Sequence, residues 1–197
     1  MCRPRLTGCL VAAGAVWLLV ACSKEPSVNW SAQENFFAAE KSEKTDQGAR
    51  LEFHSLVDAP AEEVYRALAD PEHYAEFVEG VSDTALVSAE GNTKVIQITQ
   101  SVIGRQSRAR VKWELHPEER KIQFETLQSD ANYNDGHYEV FASPDGKRSY
   151  IVSVYIVKEK GAPQNVPIGV LMSATRDSFE RAARSVKRRA LGQPSKG

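Results

Sequence analysis

"VDAPAEEVYRALADPEHYAEFVEGV", residues 57–81, carries two helix signals and two stop signals in one stretch. Pro60 suits a first helical turn, where its missing N–H would have no partner in any case. Glu62 and Glu63 complement the positive end of the helix dipole. Val64 and Leu68, with Tyr65 beside them, form an apolar stripe at helical spacing, and Asp70-Pro71 stops it. A second short helix carries Tyr74, Phe77 and Val78 and ends at Gly80.

Upstream of this stretch, Leu51, Phe53, Ser55 and Val57 alternate with Glu52, His54 and Leu56, an imperfect strand of period two. Downstream comes a run of strands. Residues 82–89 and 93–103 flank the turn Glu90-Gly91-Asn92. After Gly104-Arg105, Ala109, Val111, Trp113 and Leu115 alternate with Arg108, Arg110, Lys112 and Glu114, so one face of that strand is buried and the other wet. His116-Pro117-Glu118-Glu119 turns into a strand over 121–127, with Ile122 and Phe124 on one side. Asn134-Asp135-Gly136 precedes a strand over 138–142, and Pro144-Asp145-Gly146 is a strong turn. In the last strand Tyr150, Val152, Val154 and Ile156 share a face, assigned to the interior. With Asn165 as cap, a helix over 166–190 repeats Ile168, Leu171, Met172, Thr175, Phe179, Ala182, Ala183 and Val186 at helical spacing. One strand, two short helices, six strands and a long helix predict an α+β domain, an antiparallel sheet wrapped around the final helix.

These residues resemble the START-like (SRPBCC) helix-grip superfamily, particularly its polyketide-cyclase and coenzyme-Q-binding branch. The 57–81 stretch matches the family opening: an apolar residue, Ala-Pro, an acidic pair, Val-aromatic, then Asp and a hydrophobic gate, here Tyr74 and Phe77. "HPEERKIQF" (116–124), "DGHYEV" (135–140) and "SPDGKRSYIVSVYIV" (143–157) fall where the family has its middle and last strands. The resemblance covers about residues 49–191. It implies a curved antiparallel sheet gripping the C-terminal helix, with a cavity for a lipid, isoprenoid, polyketide or steroid between them. Periodicity turns Ala109, Val111, Trp113, Ile122, Phe124, Tyr138, Val152, Val154, Leu171, Thr175 and Phe179 toward that interior. The ligand-binding candidates among them are Trp113, Phe124, Tyr138, Val152, Val154, Leu171, Thr175 and Phe179. A completely filled core is the alternative use of the same side chains.

The N-terminus reads as an export signal. Arg3 and Arg5 precede an apolar segment from Leu6 to Ala21, short of the roughly 20 residues that span a bilayer. Leu19-Val20-Ala21-Cys22 resembles the bacterial lipobox, in which cleavage before the cysteine leaves a diacylglyceryl group on its sulfur. Residues 1–21 are therefore expected as a lipoprotein signal peptide, with Cys22 as the lipid attachment point; an uncleaved signal anchor is the alternative. The expected location is the cell envelope, facing the periplasm. Ser23 in place of an aspartate favours the outer membrane by analogy with enteric bacteria. Residues 22–48 read as a tether. Within them Ser31-Ala32-Gln33-Glu34 forms a capping box that predicts a short helix over 32–44. Residues 192–197 form a tail.

Cys2 and Cys9 leave with the signal, so no disulfide, thiolate metal site or cysteine nucleophile is expected. Losing Arg3 and Arg5 leaves 23 basic residues against 26 acidic ones, a net charge of −3 that gives no drive toward nucleic acid. His54, His73, His116 and His137 form no metal-ligand spacing. Asp135 and His137 could form a base-orienting pair, or be a turn aspartate beside a solvent-facing histidine. Asp70, Glu72 and His73 form a polar cluster at what reads as a helix stop. The basic residues ending the last helix complement its dipole, and they could also approach anionic headgroups. No catalytic signature, metal site or cofactor motif is present. Three function classes remain open: a carrier or sensor of a hydrophobic ligand beside the membrane, a cyclase or aromatase needing polar groups such as Tyr138, Thr175 or His137 inside the cavity, and an interaction module with a filled core.

Overall fold

The computed structural model describes residues 26–46, 48–102, 104–131, 133–158 and 168–194; Cys22 and the signal lie outside them. Eight antiparallel strands form one sheet: β1 (Asn35–Thr45), β2 (Gly48–Val57), β3 (Val81–Glu90), β4 (Thr93–Val102), β5 (Arg105–His116), β6 (Lys121–Ser129), β7 (Tyr133–Ala142) and β8 (Ser149–Lys158), in the order β1-β2-β8-β7-β6-β5-β4-β3. Helices α1 (Ala61–Leu68) and α2 (Tyr74–Phe77) connect β2 to β3, and α3 (Ile168–Ala190) closes the chain. The stretch quoted above folds as read: Val64, Tyr65 and Leu68 are buried on α1, and a 3-10 turn over Pro71–His73 follows the Asp70 break. The sheet curves around α3. Phe179 of α3 stacks on Phe53 of β2 at 4.6 Å, and Val186 is 3% exposed in the same core.

The sheet needs glycine where β7 lies closest to its neighbours. A β-carbon on Gly136 of β7 would lie 1.9 Å from the Val154 carbonyl oxygen and 2.9 Å from the Phe124 ring. The ladder between β6 and β7 pairs Lys121 to Phe124 with Glu139 to Gly136. Beyond Gly136, Thr126 Oγ1 donates to the Asn134 carbonyl at 2.8 Å and accepts the Asn134 N–H at 3.1 Å. Regular pairing ends at Gly136, and the Thr126 side chain takes over the bonding there.

The helix expected over 32–44 is a strand. β1 pairs along β2 from Asn35↔Leu56 to Thr45↔Gly48, with a register shift between Asn35 and Ala39. A helix of that length is marginal in water on its own, whereas an edge strand satisfies its backbone against β2. The register shift also lets adjacent phenylalanines both find partners. Phe36 is 7% exposed, and Phe37 packs against Phe53 at 5.7 Å and Phe179 at 5.6 Å. Glu34, the intended capping-box acid, instead accepts the Asp58 N–H at 2.9 Å and the Lys187 ammonium at 2.7 Å.

Candidate functional site

Between α3 and the concave face of the sheet lies a cavity of about 200 Å³. Aromatic rings from six elements form its inner end: Tyr74 (α2), Trp113 (β5), Phe124 (β6), Tyr138 (β7), Tyr155 (β8) and Phe179 (α3). Trp113, Phe124 and Tyr138 hold their centroids 5.0 to 6.1 Å apart in tilted and stacked pairs. Small and polar side chains, among them Gln100, Ser101, Ser107, Ser129 and Ala131, line the outer part. Glu79 and Arg181, 4.0 Å apart, stand there as an exposed ion pair.

The polar groups at the inner end are phenols and the buried indole N–H of Trp113, which has no hydrogen-bond partner among the described residues. Tyr74 donates its hydroxyl to the Leu68 carbonyl at 2.6 Å. The hydroxyls of Tyr138 and Tyr155 lie 3.1 Å apart. Burial pushes the Tyr138 phenol up to about 12, with the bond to Tyr155 pulling the other way, and raises Tyr74 and Tyr155 well above the ordinary tyrosine value. All three stay protonated through the physiological range. They can donate and accept hydrogen bonds but cannot act as bases there.

Trp113, Phe124, Tyr138, Thr175 and Phe179, expected in the cavity, are among its lining residues. Val152 and Val154 are not: they face outward. Tyr138 pairs with Ser153 and Gly136 with Tyr155 across the ladder, so Ser153 and Tyr155 share the inner face of β8, and Val152 and Val154 take the other. "SYIVSVYIV" is apolar on both faces, so its period could not set the phase. Tyr155 was missed for the same reason. Ser107 was missed although it lies one step back along the alternation of Ala109, Val111 and Trp113. Leu171 lies in α3, but its side chain is outside the described residues. The gate reading of Tyr74 and Phe77 is also corrected. Phe77 is fully buried and lines no part of the cavity, and Tyr74 is tied to Leu68 as part of its floor.

Asp135 and His137 form no catalytic pair. Both lie on the outer face, where Asp135 pairs with Lys158 and accepts the Thr126 N–H at 3.0 Å. Burial lowers the pKa of His137. The same face carries a network that sequence reasoning did not find: Tyr150 Oη lies 2.8 Å from His54 Nδ1, and His54 Nε2 lies 2.7 Å from Glu52 Oε1. The register of β2 against β8 brings these residues together, pairing His54 with Val152 and Glu52 with Val154. Asp70, Glu72 and His73 bring ligand atoms within 4.8 Å of one another, but Lys94 at 2.6 Å from Glu72 and Arg189 at 3.6 Å from Asp70 already balance the charge.

A curved antiparallel sheet gripping a C-terminal helix over an aromatic-lined cavity is a START-like helix-grip fold. The chain belongs to the family described as polyketide cyclase / dehydrase and lipid transport, whose model matches residues 49–191. Its fold is similar to that of the Zhui aromatase/cyclase from Streptomyces sp. R1128, at TM-score 0.65 and 19% identity, covering 72% of this chain and 93% of that one. A Thermus thermophilus protein aligns at TM-score 0.63 and 18% identity, covering 73% and 97% of the two chains. A START superfamily protein from Mycobacterium smegmatis aligns at TM-score 0.63 and 14% identity over the same shares. No curated protein matches the sequence.

Proposed function

We propose that this protein is a non-catalytic carrier or sensor of a hydrophobic small molecule, held at the bacterial envelope by an acylated Cys22. The observation that carries the binding part is the character of the cavity. Its inner wall is built from rings and neutral phenols, and among its lining residues the carboxylate and the guanidinium, Glu79 and Arg181, sit at the outer part. Such a site favours an uncharged apolar guest and has no base at its inner end to act on one. The family contains ligand-binding and cyclase-like proteins, and the cavity speaks for a ligand rather than for a pure interaction module. The cyclase reading keeps one supporting observation, the Tyr138–Tyr155 hydroxyl pair inside the cavity.

The lipobox-like ending supports the anchor, and the described residues shorten the tether. Arg148 binds the carbonyl oxygens of Trp30 and Ala32, and the Trp30 ring packs edge-on against Tyr150 at 6.4 Å. Seven residues then separate Cys22 from the docked Trp30, eight Cα–Cα steps with a reach of at most about 29 Å. Among the described residues no helix is long and apolar enough to cross a membrane.

Native mass spectrometry of the protein purified from its own host tests the binding role: a co-purifying apolar molecule is expected. An interior empty under every envelope extract tried, or turnover of an added polyketide, would contradict the carrier reading. Intact-mass measurement tests the anchor, with a mature N-terminus at diacylated Cys22 expected. An unmodified start at any other residue would refute it.

A further inference from the structure

Tyr138 comes from β7 and Tyr155 from β8, and their rings meet edge to face at 6.0 Å with the two hydroxyls 3.1 Å apart. Both side chains keep part of their surface accessible although they lie deep among other side chains; both line the cavity, and that surface faces it. Two phenols own two protons. One proton is used in the bond between them, which leaves one O–H of the pair without a protein acceptor among the described residues. A buried donor left unpaired is unfavourable, and an acceptor supplied by a guest removes that penalty.

Size narrows the guest. An apolar cavity of about 150 Å³ holds one benzene ring, so the cavity of about 200 Å³ has room for a single substituted ring. The rings of Trp113, Phe124 and Phe179 offer faces and edges for such a ring to pack against. Resting on the reading of the cavity as a ligand site, we propose that the Tyr138–Tyr155 pair recognises a carbonyl-type oxygen on a small, neutral, one-ring ligand. The donor is the phenol proton that the pair does not use. Burial keeps both phenols protonated, so recognition holds unchanged across neutral pH and fails only in strong base.

The proton count makes an unusual prediction. Replacing either tyrosine alone by phenylalanine frees the hydroxyl of the other, so one donor remains. Only the double variant lacks a phenol donor altogether. The test uses acetophenone and its isostere α-methylstyrene, which differ by a C=O against a C=CH₂. Every described strand and helix lies between Asn35 and Ala190, so residues 23–197 hold the whole sheet and its helix. Calorimetric titration of that chain should show acetophenone binding roughly fivefold tighter, the size of one neutral hydrogen bond. Tyr138→Phe and Tyr155→Phe should each keep most of this preference. The double variant should lose it while still binding α-methylstyrene, which also reports an intact fold. Carbonyl-¹³C acetophenone bound to the wild-type chain should show its carbonyl resonance downfield of its position in hydrocarbon solvent, a readout that needs no variant. Equal binding of both probes by the wild type, or a preference that survives in the double variant, overturns the phenol inference and leaves the ligand site standing. Binding of neither probe overturns the one-ring inference, and a co-purifying apolar molecule would then still leave the ligand site standing.

Discussion

Glu52 meets three partners at once on the outer face: Lys41 at 2.9 Å, Arg50 at 2.8 Å and His54 at 2.7 Å. Burial by itself would raise its pKa, but the hydrogen bonds from Lys41, His54 and Arg50 outweigh burial and hold the carboxyl at about 2, against an ordinary 4.5. A depressed carboxyl stabilises the fold above the unfolded value, and that stability is lost as pH falls from about 4.5 toward 2. Allowing for screening at the exposed Lys41, Glu52→Gln should cost about 2 kcal/mol at pH 7. The cost should shrink toward zero at pH 2.5. Chemical denaturation of both proteins at the two pH values checks this, and a cost independent of pH would refute the assignment. The network was hidden in the sequence because its members lie far apart: His54 and Tyr150 are 96 residues apart and meet only through the pairing of β2 with β8. Trp113 and Phe124 were legible because charged neighbours mark the outer face of β5 and polar ones that of β6.

Elements were readable where one signal dominated. The α1 stretch has its proline, its acids and its stop in order, and it folded as read. β1 was misread because local capping chemistry and tertiary pairing pointed different ways, and pairing with β2 won. β8 was found but turned over, since both of its faces carry large apolar side chains. Gly136 supplies the element-scale prediction. Gly136→Ala drives a methyl into the Val154 carbonyl and should lower stability by about 3 kcal/mol or more. Gly169→Ala near the start of α3 meets open space and should be neutral or stabilising by about 0.5–1 kcal/mol. Urea unfolding of the two variants separates them. A Gly136→Ala protein as stable as the wild type would show that β7 does not approach Val154 as closely as described.

The whole molecule has two poles. Asp58, Arg148 and Lys187 gather at one, with the docked Trp30. The turn after β4 and the ends of β6 and β8 mark the other, where Ser101, Ser107 and Ser129 line the outer cavity. A ten-residue strand separates them by about 30 Å. A lipid on Cys22 would hold the first pole toward its bilayer and turn the cavity's outer end away. A chain cleaved before Cys22 and acylated there would have no other cysteine, so single dye labels would be unambiguous. On vesicles carrying a headgroup acceptor dye, Lys147→Cys should transfer energy more strongly than Gln106→Cys; equal or reversed transfer would contradict the orientation.

The central claim, that the space under α3 is a site for a neutral apolar guest, is tested most directly by filling it. Thr175 lines the cavity from α3, and Thr175→Phe puts a ring where the guest should sit. Titration of α-methylstyrene into the wild-type and Thr175→Phe chains is the measurement. The account predicts that the variant stays folded and that its binding falls at least tenfold. Undiminished binding by a folded Thr175→Phe chain would mean that the guest sits elsewhere.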